Sequence, residues 1–140
     1  MKRNLALTTG FLMTGFFLVL LYTFSTSVTT AEVRNISAKE AFRLVNKNKG
    51  NTDFVVIDLR TPGEFNQGHI ENAVNINYFS SDFKSKLQNL DKDKTYLFHC
   101  KSGGRSGKSI AIFDELKFKN ILHMSGGFDE WLAGNIPFAQ

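Results

Sequence analysis

Cysteine is all but missing. Cys100 is the only one in 140 residues, so no intrachain disulfide can form and no thiolate-rich metal centre can be assembled. Histidine is scarce too. His69, His99 and His123 stand too far apart for metal-ligand spacing, so neither a metal nor a cofactor is expected. Basic clusters are also absent: the net charge of +4 is modest, and lysines alternate with acids, as in LDKDK from Leu90 to Lys94. A nucleic-acid surface needs clustered cations and groove-entering or stacking elements, so that class of partner is excluded. There is no internal repeat and no low-complexity linker, and the length allows one domain.

One long apolar run does occur, and it lies at the start. Residues 1–31 open with Lys2 and Arg3, continue through apolar Phe11–Phe24, and pass into a Ser- and Thr-rich stretch. A basic n-region, a short apolar h-region and small residues beyond it describe a secretory signal peptide. A cut after Ala31 leaves Thr29 and Ala31 at the small-residue positions. The alternative is an uncleaved membrane anchor, because Leu5–Phe24 can span a bilayer if its Thr and Gly are tolerated. With Lys2 and Arg3 held inside, either reading places residues 32–140 outside the cytoplasm, periplasmic or secreted. Membrane contact would come only through an uncleaved leader. Loss of Lys2 and Arg3 takes two charges from the +4 of the whole chain. About 110 residues remain, enough to bury about two-thirds of the surface of the extended chain.

Beyond the leader, short apolar runs alternate with helical patterns. VRNI (Val33–Ile36) reads as a weak strand. Ser37, with Glu40 three residues on, reads as the capping box of a helix whose inward face holds Ala41, Leu44 and Val45. DFVVID is apolar and β-branched without alternation, as in a strand covered on both faces. Thr61, Pro62 and Glu64 repeat the helix-start pattern. AVNIN is a short strand, SSDFKSKLQNL a helix, and TYLFHC a strand running into a glycine-rich loop. SGKSIAIFDELK is a helix with Ile110, Phe113 and Ala111 inward. NILHM is a last strand, Ser125-Gly126-Gly127 a turn, and FDEWLA a helix ended by Gly134 with Trp131 in the core. Such alternation predicts an α/β domain with a parallel, doubly wound five-stranded sheet and helices on both faces. Ligands in these folds sit at the carboxyl ends of strands, and Cys100 follows one.

The loop LFHCKSGGRSGKS admits three anion-handling readings. A nucleotide P-loop requires glycine five residues before that of Gly107-Lys108-Ser109, and Ser102 stands there, with Gly103 one residue too close. A cysteine phosphatase or arsenate reductase requires five residues between Cys and Arg, but only four separate Cys100 from Arg105, and Ser106 takes the arginine position. The third reading is a tighter cradle for a sulfur atom. Backbone N–H groups from Lys101, Ser102, Gly103, Gly104, Arg105 and Ser106 can converge as an anion nest. The next helix aims its positive end at the same point, which lowers the Cys100 thiol pKa. A glycine turn over a buried, inert thiol accounts for Gly103 and Gly104 but not for Lys101 and Arg105.

Three motifs carry a resemblance. VVIDLRTPGEFNQGHIENAVNI, HCKSGGRS and GGFDEWLAGNIPF, in this order, resemble the signatures of the rhodanese family, over about Ile36 to Phe138. The resemblance implies a single rhodanese-like domain of five parallel strands, similar to small exported single-domain sulfurtransferases. It also implies a two-step reaction. Cys100 would be the catalytic nucleophile, taking a sulfane sulfur from thiosulfate or a persulfide donor and passing it to cyanide or a thiol, including a protein thiol. Lys101 to Ser106 would bind the donor, with Arg105 as its anion contact, and Asp58 and Arg60 would support the loop. Glu64 matches the single-domain pattern and caps a helix. His69 would bond backbone in a turn, His123 would be a strand or edge residue, and His99 would point away from its neighbour Cys100. Lys101 stands where many members have arginine, keeping the charge without the planar fork. A rhodanese-like module that binds a partner or delivers sulfur without turnover is the alternative from another class.

Overall fold

Runs such as FVVID and TYLFH, apolar at every position, need cover above and below, and the fold supplies it. The computed structural model describes residues 32–140; the expected leader, residues 1–31, lies outside them. Five strands, β1 (Glu32–Ile36), β2 (Phe54–Asp58), β3 (Val74–Asn75), β4 (Thr95–His99) and β5 (Asn120–Met124), form one sheet in the order β1-β5-β4-β2-β3. Every pairing is parallel. Between them run helices α1 (Ala38–Lys47), α2 (Pro62–Asn66), α3 (Phe83–Gln88), α4 (Gly104–Glu115) and α5 (Gly127–Ala133).

The two-residue period of the strands divides the interior into two cores. Ile57, Tyr96, Phe98 and Ile121 pack with Phe83 and Leu87 of α3 and Phe113 of α4. Val56, Leu97 and Met124 pack on the opposite face with Ala38 and Ala41 of α1 and Phe128 and Trp131 of α5. Trp131 is buried as expected, and its indole N–H donates to Pro137 O at 3.1 Å.

Helix starts follow the sequence signals with one change. Thr61 and Glu64 complete a reciprocal capping box at α2. At α1 only half of it forms: Ser37 Oγ accepts from Glu40 N at 3.2 Å, while the Glu40 carboxylate turns to Arg34 at 2.5 Å. The inward face of α4 also differs from expectation. Ala111 is exposed, and buried Ser106 and Ser109 flank the turn before Phe113. These serines can be buried because their hydroxyls are bonded, Ser109 to Arg105 O at 2.9 Å. Gly134 ends α5, but the left-handed residue is Asn135, with φ 50°.

β2 leads away to β3 on one side of the sheet, and β4 leads to β5 on the other. The crevice between two such strands opens at their carboxyl ends. There Asp58 pairs in register with His99, one residue before Cys100.

Phe113 is fully buried, with ring centroids 4.6 Å from Phe98 and 4.9 Å from Phe118. Phe113→Ala is expected to cost ~3–5 kcal/mol in chemical denaturation, and Ala111→Ser less than about 0.5 kcal/mol. A comparable loss at both positions would contradict this assignment of the helix faces.

Candidate active site

Cys100 leaves the end of β4 and is 1% exposed, so its sulfur lies at the floor of the loop while Lys101, Ser102 and Gly104 form the exposed rim. Helix α4 begins two residues earlier than the sequence pattern suggests, at Gly104, with Gly103 at the cap in the left-handed region (φ 86°). Arg105 and Ser106 therefore belong to its first turn, where free N–H groups and the positive end of the helix dipole lie. Burial pushes the Cys100 thiol up. The Ser106 hydroxyl, 3.4 Å from Sγ, and the amides of Ser106, Ser102 and Arg105 together outweigh burial and leave the pKa below its ordinary value.

The loop is shaped from outside by the turn Ser125–Gly127. The amides of Phe128 and Asp129, opening α5, donate to Cys100 O at 2.9 Å and Lys101 O at 2.8 Å. The packing is so close that a Cβ on Gly103 would stand 1.9 Å from Ser125 O, and one on Gly127 would stand 2.3 Å from Lys101 O. Sequence reasoning treats Gly126-Gly127 as a plain turn. In the fold it is the back wall of the cradle.

Asp58 ends β2, and Arg60 follows two residues on. Both are buried, and the guanidinium Nη2 donates to Asp58 Oδ2 at 2.6 Å and to Gly68 O at 2.7 Å. The same guanidinium lies 4.0 Å over the Phe128 ring. A buried ion pair of this kind ties the end of β2 to the start of α5, the segment that holds the Cys100 carbonyl. His99 points away from the sulfur, with Nδ1 3.1 Å from Cys100 O. Burial is the largest influence on it and lowers its pKa, with Asp58 opposing. His69 bonds backbone, its Nδ1 3.1 Å from Phe65 O.

Two functional contacts escape sequence reasoning. The first joins Arg105 to Glu64. Nη1 donates to Oε2 at 2.8 Å and Nη2 to Oε1 at 2.7 Å, so the fork expected to meet a donor anion closes on a carboxylate. The Arg105 hydrogen bonds are the largest cause that brings Glu64 down to about 2; burial opposes, and the Thr61 amide and hydroxyl assist. The second is a chain behind the sulfur. Ser106 Oγ lies 2.9 Å from His123 Nε2, and His123 Nδ1 lies 2.9 Å from Asn35 Oδ1. His123 is buried, not an edge residue, and burial lowers its pKa. The capping pattern hinted at Glu64. Nothing in the sequence separates His123 from an ordinary strand residue.

Beside the loop lies an open cavity of about 240 Å³, lined by Arg60, Glu64, Lys101, Phe128, Leu132 and Phe138 among others. Leu132 and Phe138 are partly exposed there. Chemically, the arrangement favours the thiolate of Cys100 in an amide cup, and the cavity beside the loop has apolar walls, two cations (Arg60 and Lys101) and two carboxylates (Glu64 and Asp129).

Comparison with known proteins gives a consistent family. A family model described as "Rhodanese-like domain" matches residues 39–134. YtwF of Bacillus subtilis is 35% identical over 106 residues, covering 76% of this chain and 97% of that protein. The thiosulfate sulfurtransferase GlpE of Coxiella burnetii is 30% identical over 100 residues, covering 71% of this chain and 88% of that one. The crystal structure of a rhodanese-related protein from Thermoplasma volcanium superposes with a TM-score of 0.62 at 29% identity, covering 76% of this chain and 97% of the other.

Removing a donor from a thiolate disfavours the charged form. Ser106→Ala is therefore expected to raise the Cys100 pKa and slow alkylation by iodoacetamide at neutral pH by roughly fivefold, the scale of one hydrogen bond. An unchanged rate would show that the hydroxyl serves only His123 and Gly103 O. Glu64 gives a second expectation. Its folded pKa of about 2 lies below the ordinary 4.5, so its stabilising contribution is complete above pH 4.5 and is lost as pH falls towards 2. Glu64→Gln should flatten acid unfolding in that window, read by circular dichroism. An acid transition identical to wild type would contradict the pairing.

Proposed function

The chain belongs to the rhodanese-like domain family, and from that premise we propose that it is a sulfurtransferase working through a Cys100 persulfide. The Cys100 thiolate attacks the outer sulfur of a sulfane donor. The donor S–S bond breaks, its electron pair leaves on sulfite or a thiolate, and the outer sulfur stays on Cys100. An acceptor, cyanide or a thiol, then attacks that sulfur, and the electron pair returns to Cys100 Sγ. The amides of Ser102, Arg105 and Ser106 serve both stages, because each contains a negative sulfur at the loop floor.

The observation that carries this reading is a buried thiol faced by the Ser106 hydroxyl at 3.4 Å and by amides of its own loop, which favour its charged form. An inert core cysteine has no use for such donors, and burial alone would push its pKa the other way. Phosphoryl chemistry fits the loop less well. It calls for an arginine fork on the phosphate oxygens, and here both Nη atoms of Arg105 are bonded to Glu64. We further propose that this activity lies outside the cytoplasm, a reading supported by the basic start and apolar run in the sequence of residues 1–31.

Intact mass spectrometry tests the covalent step. Incubation with a sulfane donor should add the mass of one sulfur atom to the protein, and cyanide should remove it. Cys100→Ser should gain nothing. Sulfur loading that survives in Cys100→Ser would end the proposal, and stable loading that no thiophile discharges would favour the delivery module over the enzyme.

A further inference from the structure

We propose that Glu64 selects the sulfur donor, turning the site towards organic persulfides and away from dianions such as thiosulfate. The proposal rests on the sulfur-transfer reading and adds to it the class of donor. Three cations surround the loop and its neighbouring cavity: Arg60, Lys101 and Arg105. Arg60 is paired with buried Asp58 at 2.6 Å, and Arg105 holds Glu64 through both Nη atoms at 2.8 and 2.7 Å. The Glu64 carboxylate is fixed as well as paired, because its Oε2 also accepts from Thr61 N at 2.9 Å and Thr61 Oγ1 at 2.8 Å. Only 17% and 28% of the Arg105 and Glu64 side chains is exposed, so solvent screens the pair incompletely.

A dianion entering beside the sulfur therefore meets Lys101, a flexible point charge, and a guanidinium whose two Nη atoms already serve Glu64. To recruit Arg105 it would have to displace a carboxylate seated by four hydrogen bonds. An organic persulfide makes no such demand. In its transfer the Cys100 thiolate and R–S–SH give Cys100–S–SH and R–S⁻: one S–S bond forms, one breaks, and the leaving thiolate carries the electron pair. The R group finds room in the adjoining cavity, where Phe128, Leu132 and Phe138 supply apolar wall.

Glu64→Gln separates charge from structure, since glutamine at this helix position still serves a capping box. The first readout needs no sulfur transfer. Cys100 is alkylated with iodoacetate, an anion, and with neutral iodoacetamide, and the ratio of the two rates reports the field at the thiolate. In Glu64→Gln the ratio is expected to rise several-fold towards iodoacetate, with the gain shrinking as salt is added. The second readout is kcat/KM for thiosulfate and for a low-charge alkyl persulfide. Thiosulfate should gain roughly tenfold, the scale of one charge-assisted hydrogen bond regained, while the alkyl persulfide changes less than about twofold. Glu64→Asp, too short to reach both Nη atoms, should move both readouts in the same direction by less and serves if the glutamine variant fails to fold. An unchanged alkylation ratio with normal sulfur loading would overturn the role of Glu64 alone, as would equal changes for the two donors. A shifted ratio in a protein that takes sulfur from neither donor would overturn the sulfur-transfer reading, and the donor selection with it.

Discussion

Ionising a sulfur buried at 1% exposure is costly unless hydrogen-bond donors replace the water it has lost, and the rest of the structure is arranged around that replacement. The donors come from one short arc of chain: the amides of Ser102, Arg105 and Ser106 and the Ser106 hydroxyl. An arc of this curvature cannot be held by its own residues, since Gly103 must adopt a left-handed conformation and Gly104 carries no side chain to pack. It is held by its neighbours. The start of α5 donates two backbone hydrogen bonds to Cys100 O and Lys101 O, and the Ser125 carbonyl fills the space that a side chain at Gly103 would need. The sheet explains why those neighbours are present. β4 delivers Cys100 and β5 delivers Ser125 from adjacent parallel strands, so both loops emerge at one end.

Much of this was legible in the sequence because it depends on local pattern. Uninterrupted apolar runs gave parallel strands buried on both faces. Thr61-Pro62-x-Glu64 gave the start of α2, and TYLFHC gave the strand that leads into the Cys100 loop. The features that were not legible depend on residues far apart in sequence. Glu64 and Arg105 are 41 positions apart, and His123 and Asn35 are 88 apart. No single sequence can show that such residues meet. The inward face of α4 was misread for a different reason. Ala111 fits an apolar stripe, but a helix whose first turn must aim a hydroxyl at a sulfur turns Ser106 inward, and Ser109 follows near it on the same face.

The charges near the loop show a common plan. Asp58 with Arg60 and Glu64 with Arg105 are each joined by two or more hydrogen bonds, one pair fully buried and one half-buried. Charges taken out of water are stable only when paired and bonded, so each pair braces a segment while adding little net field. Arg60 braces the turn at Gly68 and the Phe128 ring; Arg105 braces the start of α2. At the sulfur itself the Ser106 hydroxyl is the strongest donor, and beside it stand the amides of Ser106, Ser102 and Arg105, whose direction is fixed once the fold is formed. Amides of this kind do not titrate, so the cup keeps its donors over a wide range of pH.

The hydroxyl of Ser106 is the one adjustable donor in this cup. It has a single proton and three acceptors within reach: Sγ at 3.4 Å, Gly103 O at 3.1 Å and His123 Nε2 at 2.9 Å. With Nδ1 donating to Asn35 Oδ1, a neutral His123 leaves Nε2 as an acceptor, and burial favours that neutral state. A neutral thiol has little claim on the proton, whereas a thiolate is the strongest acceptor of the three. The direction of this hydrogen bond thus follows the charge on the sulfur, towards His123 when Cys100 is protonated and towards Sγ when it is ionised. Turning the proton to Sγ takes it from His123 Nε2, so the gain at a thiolate is offset by one buried acceptor left without its donor. In the proposed sulfur transfer, where the sulfur gains and releases charge, such a neighbour answers the change without moving the backbone.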